Sequence, residues 1–165
     1  MSHLEYMQSE ASKNWEFHLQ NMDNLQRESN TTLTFLYVVI SASFSAALKL
    51  FLDEKFIILA VTLSFLCIYL VTLAVWLLFG CMMARSVKAP ANEPKNLKIP
   101  DGYTSEQIQQ FELENLQERI EYNANRNSST ARQLNRVRVA ICFSPIVFVV
   151  VLTFIALLWA AGCHE

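Results

Sequence analysis

The sequence predicts an all-α integral membrane protein, with three transmembrane helices and two long cytoplasmic helices that are continuous with spans one and three. Of the 165 residues, 53% are hydrophobic and only 17% are charged, whereas soluble domains have about 25% charged residues. The apolar residues are also gathered into three blocks, each near the ~20 residues that a helix needs to cross a bilayer. Such blocks must be helical in lipid, because no water is present to satisfy unpaired backbone groups.

The three apolar blocks predict transmembrane helices at 31–52, 56–84 and 139–161. The second and third blocks carry no charge, and Lys49 lies near the outer end of the first. Transporters that couple to ions normally keep an ionisable residue near the middle of the membrane. No block has one there, which argues against this class of protein.

The distribution of Lys and Arg predicts the orientation. Eleven of the 13 basic residues lie in the N-terminal segment and in the long segment between the second and third spans, and the other two are Lys49 and Lys55. By the positive-inside rule, the N-terminus and the long segment are cytoplasmic. The turn 53–55 and the tail 162–165 are then expected on the outer side.

The N-terminal segment 1–30 predicts an amphipathic cytoplasmic helix. Ser2 and Glu5 fit a capping box, and no Gly or Pro separates them from the first span. One side of this helix carries residues that recur at steps of three or four: Leu4, Met7, Ala11, Trp15, His18, Met22 and Leu25. One helix is therefore expected to run from the cytoplasm into the membrane.

Proline and glycine predict a linker at 85–103, which contains three prolines and the pair Asp101-Gly102. Thr104 with Gln107 forms a second capping box and predicts the start of a cytoplasmic helix over 104–138. This helix is expected to continue directly into the third span. Pro145 predicts a kink near the start of that span, because proline removes a helical hydrogen bond.

The second cytoplasmic helix carries a coiled-coil pattern whose centre is polar. The steps alternate between three and four residues along Leu113, Leu116, Ile120, Asn123, Asn127, Thr130, Leu134 and Val137. The polar residues in its middle have two functional interpretations: they set register and oligomer size, or they line a site for a ligand or partner. The alternative without a function is that this stretch merely packs loosely against the N-terminal helix.

Four arginines follow that polar centre, at Arg126, Arg132, Arg136 and Arg138. Guanidinium groups suit phosphate oxygens, so a nucleotide or another phosphate is one candidate ligand. The alternative is contact with anionic lipid, since arginines beside the cytoplasmic leaflet are attracted to it. Both interpretations make these residues lipid or phosphate contacts.

The first span carries a face of small and hydroxylated side chains, formed by Thr34, Ser41, Ala42, Ser45 and Ala46. Small residues four apart let two membrane helices approach closely. The same face has two possible uses: it lines a pore or contact between copies of the chain, or it packs against another span of the same chain.

The sequence contains no pattern that predicts catalysis. It lacks a glycine-rich phosphate loop and a nucleophile elbow. Its four cysteines have no metal-ligand spacing. We therefore expect neither an enzyme nor a cofactor or metal, and the formal charge of −2 argues against nucleic acid as a partner.

The chain resembles small helical transmembrane effectors of bacterial anti-phage defence. Three features carry the resemblance: the polar helix that enters the first span through Leu25-Gln26-Arg27-Glu28-Ser29-Asn30-Thr31-Thr32-Leu33, the basic linker with prolines after the second span, and the Arg- and Asn-rich helix before the last span. These features are similar to the membrane module of effectors in pyrimidine cyclic-nucleotide (Pycsar) defence, without their separate cyclic-nucleotide-binding domain.

The resemblance implies a homo-oligomeric effector in the bacterial inner membrane that perturbs or permeabilises the membrane after infection. A cytoplasmic protein or a nucleotide signal would trigger it, and membrane lipid would be its permanent partner. The residues themselves leave two alternatives open. One is a membrane anchor or scaffold subunit of a larger complex, and the other is a small channel.

Overall fold

The structure is a computed structural model that describes residues 3–53, 56–83 and 103–162. These residues are 96% helical, and no strand occurs among them. The chain order is α1 (His3–Leu52), α2 (Ile57–Leu77), a π-helical turn (Leu78–Met82), α3 (Ser105–Cys142) and α4 (Ser144–Gly162). The predicted all-helical class is confirmed for this part of the chain.

Three of the helical segments are long and apolar enough to cross a membrane. They are α1, the 26 residues of α2 with the π-helical turn, and the 19 residues of α4. The prediction of three such segments is therefore confirmed. Several hydroxyl groups within them bond to the carbonyl four residues earlier in the same helix, as Thr62 Oγ1 does with Ile58 O at 2.8 Å. This local bond satisfies a polar group without a partner from another helix.

The capping box predicted at the start of α3 is present. The Thr104 backbone N–H donates to Gln107 Oε1 at 3.0 Å, and the Gln107 N–H donates to Thr104 Oγ1 at 3.3 Å. These reciprocal bonds satisfy backbone groups that have no partner in the first turn. The cap predicted at Ser2 lies outside the described residues, as do 54–55, 84–102 and 163–165 of the predicted turn, linker and outer tail.

The second long helix was expected to continue directly through the third apolar block, and the structure interrupts it there. α3 ends at Cys142, and Phe143 separates it from α4. The Phe143 N–H is shared between the carbonyls of Val139 at 3.2 Å and Ala140 at 3.1 Å. Pro145 has no N–H to continue the ladder, and it lies in the first turn of α4, where proline is tolerated. The kink expected at Pro145 is therefore a break between two helices.

The described residues fall into two compact units. Unit 1 contains 3–26 of α1 and 103–131, which includes the first part of α3. In unit 1 the two helices run in the same direction. Residues 6–14 of α1 lie beside residues 113–117 of α3, and further along both helices Asn127 of α3 contacts His18 of α1. The buried side chains of unit 1 are Trp15, Ile120, Asn123 and Asn127.

Unit 2 contains 27–53, 56–83 and 132–162. Within it α2 is the central element: it packs against α4, and its Cys67 Sγ lies 3.9 Å from the Ile40 carbonyl oxygen of α1. The buried residues of α2 are Ala60, Thr62, Cys67, Leu70, Leu73, Ala74 and Leu77. No residue of α4 is fully buried.

Candidate functional site

The small-residue face of the first span is exposed. All five of its residues (Thr34, Ser41, Ala42, Ser45 and Ala46) are exposed in unit 2. The buried residues of this part of α1 include Leu36 and Ala47. At about 100° per residue, these lie on the opposite side of the helix. The described part of the chain therefore does not use the small-residue face for its own packing.

The buried side of α1 in unit 2 carries polar contacts at its start. Arg138 Nη1 lies 2.9 Å from Glu28 Oε2, and Arg138 Nε donates to Thr32 Oγ1 at 3.4 Å. Thr32 and Ser29 are both buried. These contacts join α1 and α3 just before the apolar part of each helix.

The four arginines predicted as lipid or phosphate contacts have different surroundings. Arg132 and Arg136 are exposed, whereas Arg126 and Arg138 are half-buried. Arg138 already has a carboxylate partner, so a phosphate at that guanidinium has to compete with Glu28.

The coiled-coil pattern of α3 faces inward. Ile120, Asn123, Asn127 and Leu134 are buried, and Leu116 and Thr130 are half-buried. In unit 1 the Asn127 Nδ2 donates to the His18 carbonyl oxygen at 2.8 Å. The polar centre of the pattern therefore contacts the N-terminal helix of the same chain.

The two buried asparagines differ in how their amides are satisfied. Asn127 has the His18 carbonyl as an acceptor. Asn123 is 5% exposed, and both its Nδ2 and its Oδ1 are buried without a hydrogen-bond partner. The His18 Nδ1 is buried and unpartnered as well. Unit 1 thus contains a polar layer that is only partly satisfied, which costs free energy because an unpaired buried group loses its bonds to water.

Two open grooves border the contact between α1 and α3 in unit 1. The larger has a volume of about 850 Å³ and is lined mainly by Tyr6, Met7, Ala11, Leu113, Glu114 and Gln117. We call it the Met7 groove. The second, of about 390 Å³, lies beside Trp15 and Leu116. Met7 belongs to the side of α1 whose residues recur at steps of three or four, and it is 42% exposed, so this side of the helix is not wholly covered.

The rim of the Met7 groove is charged. Lys13 Nζ lies 2.7 Å from Glu10 Oε1, and this hydrogen bond raises the pKa of Lys13 above its ordinary value. Glu114 is exposed and accepts a hydrogen bond from Gln110 Nε2 at 3.4 Å. Lys13 is therefore already engaged, and Glu114 presents negative charge at the groove.

Sequence reasoning missed two features of unit 2. The Tyr69 hydroxyl donates to the Ala140 carbonyl oxygen at 2.7 Å, at the end of α3. The π-helical turn contains Gly80, where an added Cβ would collide with Gln133 Oε1. Gly80 is the single glycine inside the three predicted spans, so its position was the one available signal for a close approach of another helix.

Among the residues that the structure describes, no group of three or more His, Cys, Asp or Glu side chains is placed to hold a metal ion. No protein family, curated protein or solved structure matches the chain. Function is therefore inferred from the chain's own residues.

Proposed function

We propose that the chain is a bacterial inner-membrane effector of phage defence, which self-associates and then perturbs or permeabilises the membrane. Its N-terminus and unit 1 are cytoplasmic, its C-terminus is outside, and a cytoplasmic partner or signal triggers it. The observation that supports this proposal best is the exposed small-residue face of α1, opposite the side that the chain buries.

An exposed face of this kind favours association between copies. Lipid tails are as apolar as leucine, so hydrophobicity cannot drive helices together within a membrane, and close packing has to do so. Ala42 and Ala46, like Ser41 and Ser45, are four residues apart and therefore adjacent on the helix surface. A helix from another copy can approach such a surface until the two backbones nearly touch.

The hydroxyl groups on the same face support a role in permeation. Thr34, Ser41 and Ser45 lie within about 40° of one another around the helix axis, at about 100° per residue. The Thr34 hydroxyl is bonded to its own helix, at Asn30 O. Polar side chains in membrane helices normally face other helices or water rather than lipid. A ring of copies that turns this stripe inward would line a polar path.

The groove of unit 1 favours a second candidate function, a membrane anchor or scaffold for a larger complex. The Met7 groove is open and partly apolar, as a docking site for another protein would be. A scaffold and an effector differ in their consequences for the cell. The effector is toxic when triggered, whereas the scaffold co-purifies with its partner and leaves the membrane potential unchanged.

The assembly test replaces Ala42 or Ser45 with Leu. Leucine inserts readily into membranes, but it holds a neighbouring helix away and costs roughly 1–3 kcal/mol of packing. We expect association about 5- to 150-fold weaker, with normal expression and loss of membrane depolarisation and phage defence. Native mass spectrometry from nanodiscs measures the oligomer.

Phe44→Ala and Phe51→Ala serve as controls, since both positions are exposed and apolar and lie more than about 90° around the helix from Ser45, near the middle of the small-residue face. They should keep the oligomer size and the activity. If Ala42→Leu and Ser45→Leu both retain full assembly and activity, the small-residue face is not the working contact. If the oligomer is lost while benign partner binding remains, the scaffold is the better description.

A further inference from the structure

We infer that the Met7 groove is an interaction surface for a basic amphipathic helix from a partner protein. The two sides of the groove supply apolar contacts that the chain leaves open: Tyr6 is 55% exposed and Met7 42% exposed, while Ala11 and Leu113 are half-buried beneath them. Exposed aromatic and methionine side chains beside a groove are typical of surfaces that bind helices.

The length of the groove fits a short helix. Its α1 side extends from Tyr6 to Asn14, and eight steps of 1.5 Å make this side about 12 Å long. A helix that places apolar residues at i, i+3 or i+4, and i+7 covers about 10.5 Å at the same rise. The groove therefore has room for one apolar stripe of a bound helix over about two turns.

The charge of unit 1 selects the sign of the partner. Its described residues, 3–26 and 103–131, contain nine acidic and three basic side chains, so their net charge is −6. Lys13, the one basic side chain among the described residues that line the groove, is paired with Glu10. A basic helix is attracted to this surface, whereas the same residues of a second copy carry the same excess of negative charge and repel it.

The binding test uses the full chain in nanodiscs of phosphatidylcholine, which is zwitterionic, with protein-free nanodiscs as the reference. The probe is a fluorescent 14-residue peptide (a length of roughly four helical turns) with Leu on one side and Lys on the other. Its controls are a scrambled peptide of the same composition and a version with Glu in place of Lys. We expect saturable binding of the first peptide alone, measured by fluorescence anisotropy and weakened by salt.

The groove is tested with Met7→Lys combined with Glu114→Gln, which changes the net charge of residues 3–26 and 103–131 from −6 to −4 and removes one apolar contact. The matched control, Asn24→Lys with Asp23→Asn, makes the same change of charge at exposed positions outside both grooves. We expect the groove variant to bind about tenfold more weakly, about 1.4 kcal/mol. The control should change affinity much less.

Three results would overturn the inference: equal binding of the Lys and Glu peptides, unchanged affinity in the groove variant, or equal loss in groove variant and control. A photocrosslinking amino acid at Tyr6 tests the other occupant, since crosslinks between two copies without peptide would assign the groove to self-association. The Ala42→Leu variant should bind the peptide normally. Failure of peptide binding and failure of the proposed assembly are therefore separate results.

Discussion

The hydrogen bond between Tyr69 and the end of α3 makes a sharp test of how unit 2 is stabilised. The ladder of α3 stops at Phe143, and Pro145 cannot donate to the carbonyl four residues before it. The last carbonyls of a helix need other partners. The Ala140 carbonyl accepts the Phe143 N–H at 3.1 Å and the Tyr69 hydroxyl at 2.7 Å, a near-optimal length for an O–H donor.

Tyr69→Phe removes this hydroxyl and keeps the ring. Hydrogen bonds between membrane helices contribute about 0.6 kcal/mol on average and up to about 1.7 kcal/mol. We expect a loss near 1 kcal/mol, because the bond is short and half-buried. For a chain of this size, that loss corresponds to a fall of about 2–4 °C in Tm, measured by circular dichroism of the protein in detergent.

Two comparisons make this prediction specific. Tyr37→Phe removes a hydroxyl from a tyrosine that is 56% exposed on α1, and it should leave Tm unchanged. Pro145→Ala restores a backbone N–H, but its acceptor four residues earlier is the Ile141 carbonyl and not the Ala140 carbonyl, so Tyr69→Phe should cost as much in the Pro145→Ala background. Equal shifts for Tyr69→Phe and Tyr37→Phe, or the loss of any cost of Tyr69→Phe in that background, would refute the reasoning.

Asn123→Leu should raise the free energy of unfolding by about 1–3 kcal/mol, because it removes two buried polar atoms without partners. Asn127→Leu should lower the free energy of unfolding by about 1 kcal/mol, because it removes the bond to the His18 carbonyl. Denaturant unfolding measures both changes, and two changes in the same direction would contradict this assignment. For Arg138 and Glu28, whose side chains are 42% and 52% exposed, a double-mutant cycle should give a coupling below about 1 kcal/mol that falls with salt. A larger coupling that salt does not change would show that the pair is shielded from water.

Local chemistry made several features readable from the sequence. The capping box at Thr104 and Gln107 needs only two side chains and their own backbone. The length of α1 follows from a run without Gly or Pro. The three apolar blocks are recognised by their own length and composition, which do not depend on the residues that they contact. Ile120 and Asn127 lie on the stripe that α3 buries, and their spacing already placed them there. Such a stripe can be recognised because the other sides of α3 are polar.

The tertiary structure alone decided which sides of the membrane helices pack. The second and third apolar blocks are hydrophobic all round, so no period distinguishes a side that meets protein from a side that meets lipid. For the same reason the sequence left the small-residue face with two uses, and the structure leaves that face exposed and buries Leu36 and Ala47 instead. The Tyr69 bond and the approach of Gln133 to Gly80 join residues far apart in the chain. Such contacts depend on the final position of a neighbouring helix, which no local pattern of residues specifies.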